Sequence, residues 1–102
     1  MYSYKLNIQV EEDLTRIFEY GIGQFGLEQA VKYYEMFFEC FSKIASNPFL
    51  FPNGNHYKKG YRYCVCGVDT IFYKINADVI EIMVIIGRQN FKKFIDIKFS
   101  YS

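Results

Sequence analysis

The chain has 102 residues, of which 51% are hydrophobic and 21% aromatic, and its formal net charge is +1 at pH 7. This length suits a single domain over residues 1–102 with one small core, and the near-neutral charge argues against a dedicated nucleic-acid binder. No apolar run approaches the roughly 18 residues of a membrane span and no signal peptide is recognisable, so we expect a cytoplasmic protein without membrane contacts.

The first half of the chain predicts one strand and two helices. A short strand is expected from Tyr2 to Leu6, and Asn7 is a suitable N-cap for the helix that follows. Apolar residues then recur at helical spacing as far as Phe25. A second apolar stripe begins at Leu27, and Asn47-Pro48 ends the second helix.

Between the two helices, Gly21-Ile22-Gly23-Gln24-Phe25-Gly26 matches the G-x-G-x-x-G pattern of dinucleotide-binding loops. That pattern carries meaning only after a strand, with an acidic residue about 20 positions further on. A helix precedes these glycines, and no acid occurs from Phe41 to Ser46. We therefore predict no nucleotide cofactor, and we interpret Gly26 as a left-handed residue that ends the first helix.

From Gly60 onward the hydrophobic period changes from 3.6 to 2. Three strands are expected, Tyr61 to Cys66, Thr70 to Ile75 and Val79 to Ile86, with short turns between them. The last strand is almost continuously apolar, which is typical of a central strand covered on both faces. The sequence thus predicts an α+β domain of order β-α-α-β-β-β, with a helical hairpin on one face of a small antiparallel sheet.

Cys40, Cys64 and Cys66 do not predict a disulfide framework or a metal site. Their number is odd, and Cys-x-Cys is a poor match to the ligand spacing of structural zinc. The single histidine, His56, falls in the loop between the helices and the sheet and has no nucleophile as an evident partner. We expect small buried apolar residues at the cysteines, and no metal or other cofactor.

Short motifs along the chain occur in the same order in a known family. They are Asp13-Leu14-x-x-Ile17-x-x-Tyr20, Phe25-Gly26-x-x-Gln29-Ala30-x-x-Tyr33, Asn47-Pro48, Gly60-Tyr61-Arg62, Ile71-Phe72-Tyr73-Lys74-Ile75 and Gly87-Arg88-Gln89-Asn90. From Tyr4 to about Phe91 the chain thereby resembles the ParE/RelE toxins of bacterial type II toxin–antitoxin modules. Only Asn90 departs clearly from the family pattern, because ParE-like chains often carry Asp at this position. This departure leaves open how the C-terminal segment binds its target.

The resemblance implies one of two toxic activities. ParE-like members are not enzymes but poison DNA gyrase, whereas RelE-like members are ribosome-dependent endonucleases that cut mRNA. The long helical hairpin with its F-G-x-x-Q-A motif resembles ParE more closely. We therefore expect a gyrase inhibitor of a plasmid-stabilisation-type module; an mRNA endonuclease and an inactive antitoxin-binding module remain the alternatives.

Basic residues of the second half are the candidates for target binding. For a ParE-like toxin the resemblance, together with the cations that follow the last strand, points to the segment Arg88, Gln89, Asn90, Phe91 and Lys92. For a nuclease, Lys58, Arg62 and Arg88 could hold phosphates. No general base accompanies them, because strand alternation places Tyr73 on a core face.

A ParD-like antitoxin is the partner that the resemblance implies, and operator DNA would be bound only through it. Tyr33, Phe37, Cys40 and Ile44 form a lateral edge beside the main apolar stripe of the second helix. A core of this size cannot enclose all of the aromatic residues, so we expect this edge to be exposed and to bind the antitoxin.

Overall fold

A computed structural model describes residues 2–87 of the chain. The elements follow the predicted order. Their bounds are β1 Ser3–Leu6, α1 Ile8–Phe25, α2 Leu27–Ser46, β2 Arg62–Cys66, β3 Asp69–Asn76 and β4 Val79–Gly87. Within these residues, neither helix combines the length and the hydropathy that a membrane crossing needs.

The start and end of α1 are set by residues that the sequence had indicated. The Asn7 side chain accepts a hydrogen bond from the backbone N–H of Gln9 at 2.7 Å, which confirms Asn7 as the N-cap. Gly26 alone connects α1 to α2, and its N–H donates to the Ile22 carbonyl at 3.0 Å. Its φ of 88° is positive as predicted, but its ψ of 165° lies outside the left-handed helical region.

The glycine motif lies within the helical hairpin, as predicted. Gly21 and Gly23 belong to α1, and Gly26 separates the two helices, so that no strand leads into the motif. Gly21 lets α2 approach, because a Cβ placed there would lie 3.4 Å from the Cβ of Ala30. This geometry is that of a helix crossing and not of a phosphate-binding loop.

The four strands form one sheet of order β1-β4-β3-β2. The meander β2-β3-β4 is antiparallel as expected, but β1 pairs with β4 in parallel, so the sheet is mixed and not wholly antiparallel. A parallel neighbour requires a long crossover. Here the helical hairpin and two strands separate β1 from β4 along the chain, which brings β4 back beside β1 in the same direction.

The central strand β4 is covered on both faces. Phe72 pairs with Val84 whereas Tyr73 pairs with Ile82, so Met83 is an extra residue that forms a bulge. The bulge changes which side chains face the helices. As a result, Ile82 and Ile85 both belong to the main core under the helices, while Val84 joins a smaller cluster with Tyr61, Phe72 and Ile86 on the opposite face.

Candidate functional site

Arg62, one of the candidate phosphate-binding cations, holds the loop that leads into the sheet. Its guanidinium donates a hydrogen bond to the Phe51 carbonyl at 2.7 Å and lies 5.0 Å from the centroid of the Phe49 ring. Asn53 forms an isolated bridge with Arg62, and the N–H of Tyr63 donates to the Pro52 carbonyl. These contacts give Arg62 a structural role in the loop of residues 47–61.

Tyr73 anchors the same loop from beneath. Its side chain is fully buried, and its hydroxyl donates to the Pro48 carbonyl at 2.6 Å. Burial raises the pKa of Tyr73 above its ordinary value. A buried phenol that donates its proton to a carbonyl cannot act as a general base toward a substrate, so the prediction that Tyr73 lies on the core face is confirmed.

Of the remaining candidate cations, Lys58 is the one that lies within residues 2–87. Lys58 lies in the loop, with its Nζ 5.8 Å from the centroid of the Tyr61 ring. The exposed His56 ring lies beside Tyr57, at 3.9 Å between centroids. Arg88, Gln89, Asn90, Phe91 and Lys92 lie outside the described residues, and only their starting point, Gly87 at the end of β4, is defined.

Three of the four residues assigned to the antitoxin-binding edge are buried, so the prediction that this edge is exposed is wrong. Phe37 and Ile44 have no exposed surface, and Cys40 is 9% exposed. The reason is that α2 packs against α1 as well as the sheet, which covers both its main stripe and the neighbouring edge. Only Tyr33 remains half-buried.

Tyr33 fastens α2 to the turn between β2 and β3. Its hydroxyl donates to Asp69 Oδ2 at 2.5 Å and also takes part in a hydrogen bond with the backbone of Val68. Burial is the main cause that raises the pKa of Tyr33, and the adjacent carboxylate raises it further. Gly67, at φ 62°, allows this approach, because a Cβ there would lie 3.0 Å from the Tyr33 hydroxyl and from the Met36 methyl group.

Asp69 falls between the strands predicted from Tyr61 to Cys66 and from Thr70 to Ile75, and nothing in the sequence pattern indicates a role for it; in the structure it is the first residue of β3. It is only 7% exposed, and burial raises its pKa even though the hydrogen bond from Tyr33 acts in the opposite direction. A turn aspartate normally lies in solvent, so no local signal separates Asp69 from Asp78 in the next turn. Only the hydrogen bond from Tyr33, 36 positions away in the sequence, distinguishes Asp69 from Asp78.

The exposed apolar surface lies instead around the connection between the helices. Tyr20, Phe25 and Leu27 are 65%, 70% and 60% exposed, and Ile22 and Val31, in the adjoining turns of the two helices, are also exposed. Elsewhere among the described residues, the exposed large apolar side chains are Ile8, Phe49 with Leu50, and Val65 with Val68. Exposed apolar groups of this kind are typical of protein-binding surfaces. We call the five residues at the helix connection the hairpin-end patch.

Comparisons with known proteins agree on the family. Residues 4–91 match the family model described as "ParE toxin of type II toxin-antitoxin system, parDE". Toxin ParE1 of Caulobacter vibrioides is 29% identical over 85 residues, which is 83% of this chain and 88% of that protein.

A solved structure described as the chromosomal ParDE TA system from P. aeruginosa superposes with a TM-score of 0.76, covering 85% of this chain and 96% of that one. Its sequence identity is 18%, so this likeness concerns the fold. The family model spans most of the chain and includes each of the motifs set out above. The protein therefore belongs to the family of ParE toxins of type II toxin–antitoxin systems.

Proposed function

We propose that this ParE-family toxin inhibits DNA gyrase, is neutralised by a ParD-like antitoxin, and does not cleave mRNA. The choice of gyrase over mRNA as the target rests on the hydrogen bonds of Arg62 and Tyr73. Both side chains hold the loop of residues 47–61 through bonds to its backbone carbonyls. A nuclease would need such groups directed at a phosphate and at an attacking hydroxyl.

The target-binding segment is proposed to be Arg88, Gln89, Asn90, Phe91 and Lys92. β4 is the buried central strand of the sheet, and this segment follows directly from its last residue, Gly87. A cation attached to the end of a rigid strand is presented to a partner at low entropic cost. Arg88→Ala is therefore expected to abolish toxicity without altering folding.

The test compares the wild type, Arg88→Ala and Lys59→Ala, which removes an exposed loop cation of the same charge. Each protein is expressed from an inducible promoter, and growth and DNA breaks are measured. The purified proteins are then assayed for inhibition of gyrase supercoiling and of cell-free translation. We expect Lys59→Ala to behave like the wild type and Arg88→Ala to lose gyrase inhibition. Arrested translation with cleaved mRNA and unaffected gyrase would refute the proposed target.

The antitoxin is proposed to contact the hairpin-end patch, since the edge first assigned to it is buried. The patch contains five exposed large apolar side chains, against at most two in each of the other exposed groups of the described residues. Phe25→Asp should weaken antitoxin binding at least tenfold, because a carboxylate would be desolvated in the complex. Leu50→Asp, which changes an apolar residue as exposed as Phe25 but located just beyond the other end of α2, is the matched control. Equal affinities of the two variants in a calorimetric titration would exclude the patch.

A further inference from the structure

Three thiols from two different elements meet in the core. Cys40 lies on α2, and Cys64 and Cys66 lie two residues apart on β2, so that both of the latter face the helices. All three are free and buried, and Cys40 is the most exposed of them at 9%. Among residues 2–87, no group of three or more His, Cys, Asp or Glu side chains is arranged to hold a metal ion.

The contacts within the cluster are not equivalent. The Cys66 thiol donates to the Met36 carbonyl of α2 at 3.8 Å, whereas the Cys64 thiol donates to the Val65 carbonyl of its own strand at 3.7 Å. The Cys40 side chain interacts with both of these cysteines; this interaction and Lys43 one turn further along α2 lower the pKa of Cys40, while the same interaction and burial raise the pKa of Cys64 and Cys66. Cys40 is also the least buried of the three thiols, so we expect it to be oxidised first.

The geometry also limits which disulfides can form. Residues two apart on one strand have Cβ atoms about 6.5–7 Å apart. A disulfide needs Cβ atoms about 3.5–4.5 Å apart, so Cys64 and Cys66 cannot be joined without breaking the strand. Any intramolecular disulfide in the folded protein must include Cys40, and it must join α2 to the edge strand β2.

We propose that this cluster is an oxidation site at which a peroxide joins Cys40 to one of the two thiols of β2. The Cys40 thiolate attacks the peroxide oxygen, the O–O bond breaks, and a sulfenic acid and hydroxide are formed. The sulfur of Cys64 or Cys66 then attacks the Cys40 sulfur and displaces its hydroxyl group as water. In balance, two thiols and one hydrogen peroxide give one disulfide and two waters.

The bond would clamp the helical hairpin to the outer edge of the sheet. It would enclose the loop of residues 47–61, which Arg62 and Tyr73 already hold by hydrogen bonds. The cross-link lowers the conformational entropy of the unfolded chain, so the oxidised protein should melt at a higher temperature than the reduced protein.

The test treats the reduced, full-length protein with increasing hydrogen peroxide, blocks the remaining thiols by alkylation, and maps tryptic peptides without reduction. Cys40 falls in the peptide of residues 33–43, and both β2 cysteines fall in that of residues 63–74. We expect these two peptides to be joined, with the loss of two of the three free thiols and with an unchanged circular dichroism spectrum.

The cysteine variants identify the bond. Cys40→Ser should lose the cross-link, whereas Cys64→Ser and Cys66→Ser should each keep it, because the remaining thiol still contacts Cys40. The map of the wild-type protein tests the proposal even if a variant fails to fold. A bond within residues 63–74, cross-links only between molecules, or irreversible oxidation of Cys40 without a cross-link would overturn it.

Discussion

The Asp13 carboxylate of α1 accepts a hydrogen bond from the backbone N–H of Ile85 in β4, at 3.0 Å and 72 positions away in sequence. β1 pairs with β4 only as far as Ile82. Beyond Ile82, among the described residues, β1 has ended and α1 lies along β4. There the Asp13 side chain accepts a hydrogen bond from a β4 backbone N–H, in place of the carbonyl that a longer β1 would supply. The same carboxylate accepts a hydrogen bond from Gln9 at 2.9 Å and lies 3.3 Å from the Arg16 guanidinium.

Asp13→Ala is expected to lower the free energy of unfolding by about 2–3 kcal/mol, because it leaves a buried backbone N–H unsatisfied and removes a charged acceptor. Glu12→Ala removes an exposed acid from the same turn of α1 and should change stability by less than about 0.5 kcal/mol. Urea unfolding of both variants measures the difference. Similar values for the two would mean that water replaces the carboxylate at Ile85.

The role of Asp13 shows what sequence patterns can and cannot reveal about this fold. The hydrophobic periods, the N-cap at Asn7 and the glycine between the helices are local signals, and they predicted the elements and their order. The partner of Asp13 is not local, so the sequence placed this acid only in a family motif. The parallel pairing of β1 escaped prediction for the same reason, since it depends on where the chain returns.

The candidate binding residues were harder to predict than the fold. Helical periodicity gives the direction of a side chain but not the number of neighbours around the helix. The pattern therefore predicts a free edge at Phe37 and Ile44, although α1 and the sheet together enclose them. Arg62 had the charge expected of a phosphate ligand, and only the structure shows its bond to the Phe51 carbonyl.

Asp69 should make stability depend on pH in the direction opposite to that of an ordinary salt-bridged acid. Burial raises its folded-state pKa, so the folded protein binds the proton more tightly than the unfolded chain does. The resulting contribution to stability is present below the unfolded pKa and is lost as the pH rises through the folded pKa. Asp69→Asn keeps an acceptor for the Tyr33 hydroxyl but cannot titrate.

The quantity to measure is the difference in unfolding free energy between Asp69→Asn and the wild type across the acidic range. As the pH rises, Asp69→Asn should become more stable relative to the wild type. Tyr33→Phe, with Asp69 retained, should make the stability depend more strongly on pH, because it removes the hydrogen bond that lowers the pKa of Asp69 against the effect of burial. A difference that stays constant with pH would show that Asp69 titrates as it does in the unfolded chain.

Ala77 is the one residue other than glycine with a positive φ among residues 2–87, at 57° in the turn between β3 and β4. This conformation is strained for a side chain with a Cβ. Ala77→Gly should therefore raise the free energy of unfolding by up to about 1 kcal/mol. Asp78→Gly in the same turn relieves no such strain and should destabilise, so thermal unfolding of the two variants is expected to shift in opposite directions.

Gly23 and Gly26 provide a last pair of opposite expectations, and in both cases a Cβ would meet no atom within 4 Å. Steric clashes are thus absent, and only the backbone conformation differs. Gly23 lies inside α1, where alanine is preferred, so Gly23→Ala should stabilise by about 0.5–1 kcal/mol. Gly26 has a φ of 88°, so Gly26→Ala should destabilise by about 1 kcal/mol or more. If urea unfolding showed that both substitutions stabilise, the single-residue connection between α1 and α2 would have to adopt a negative φ in solution.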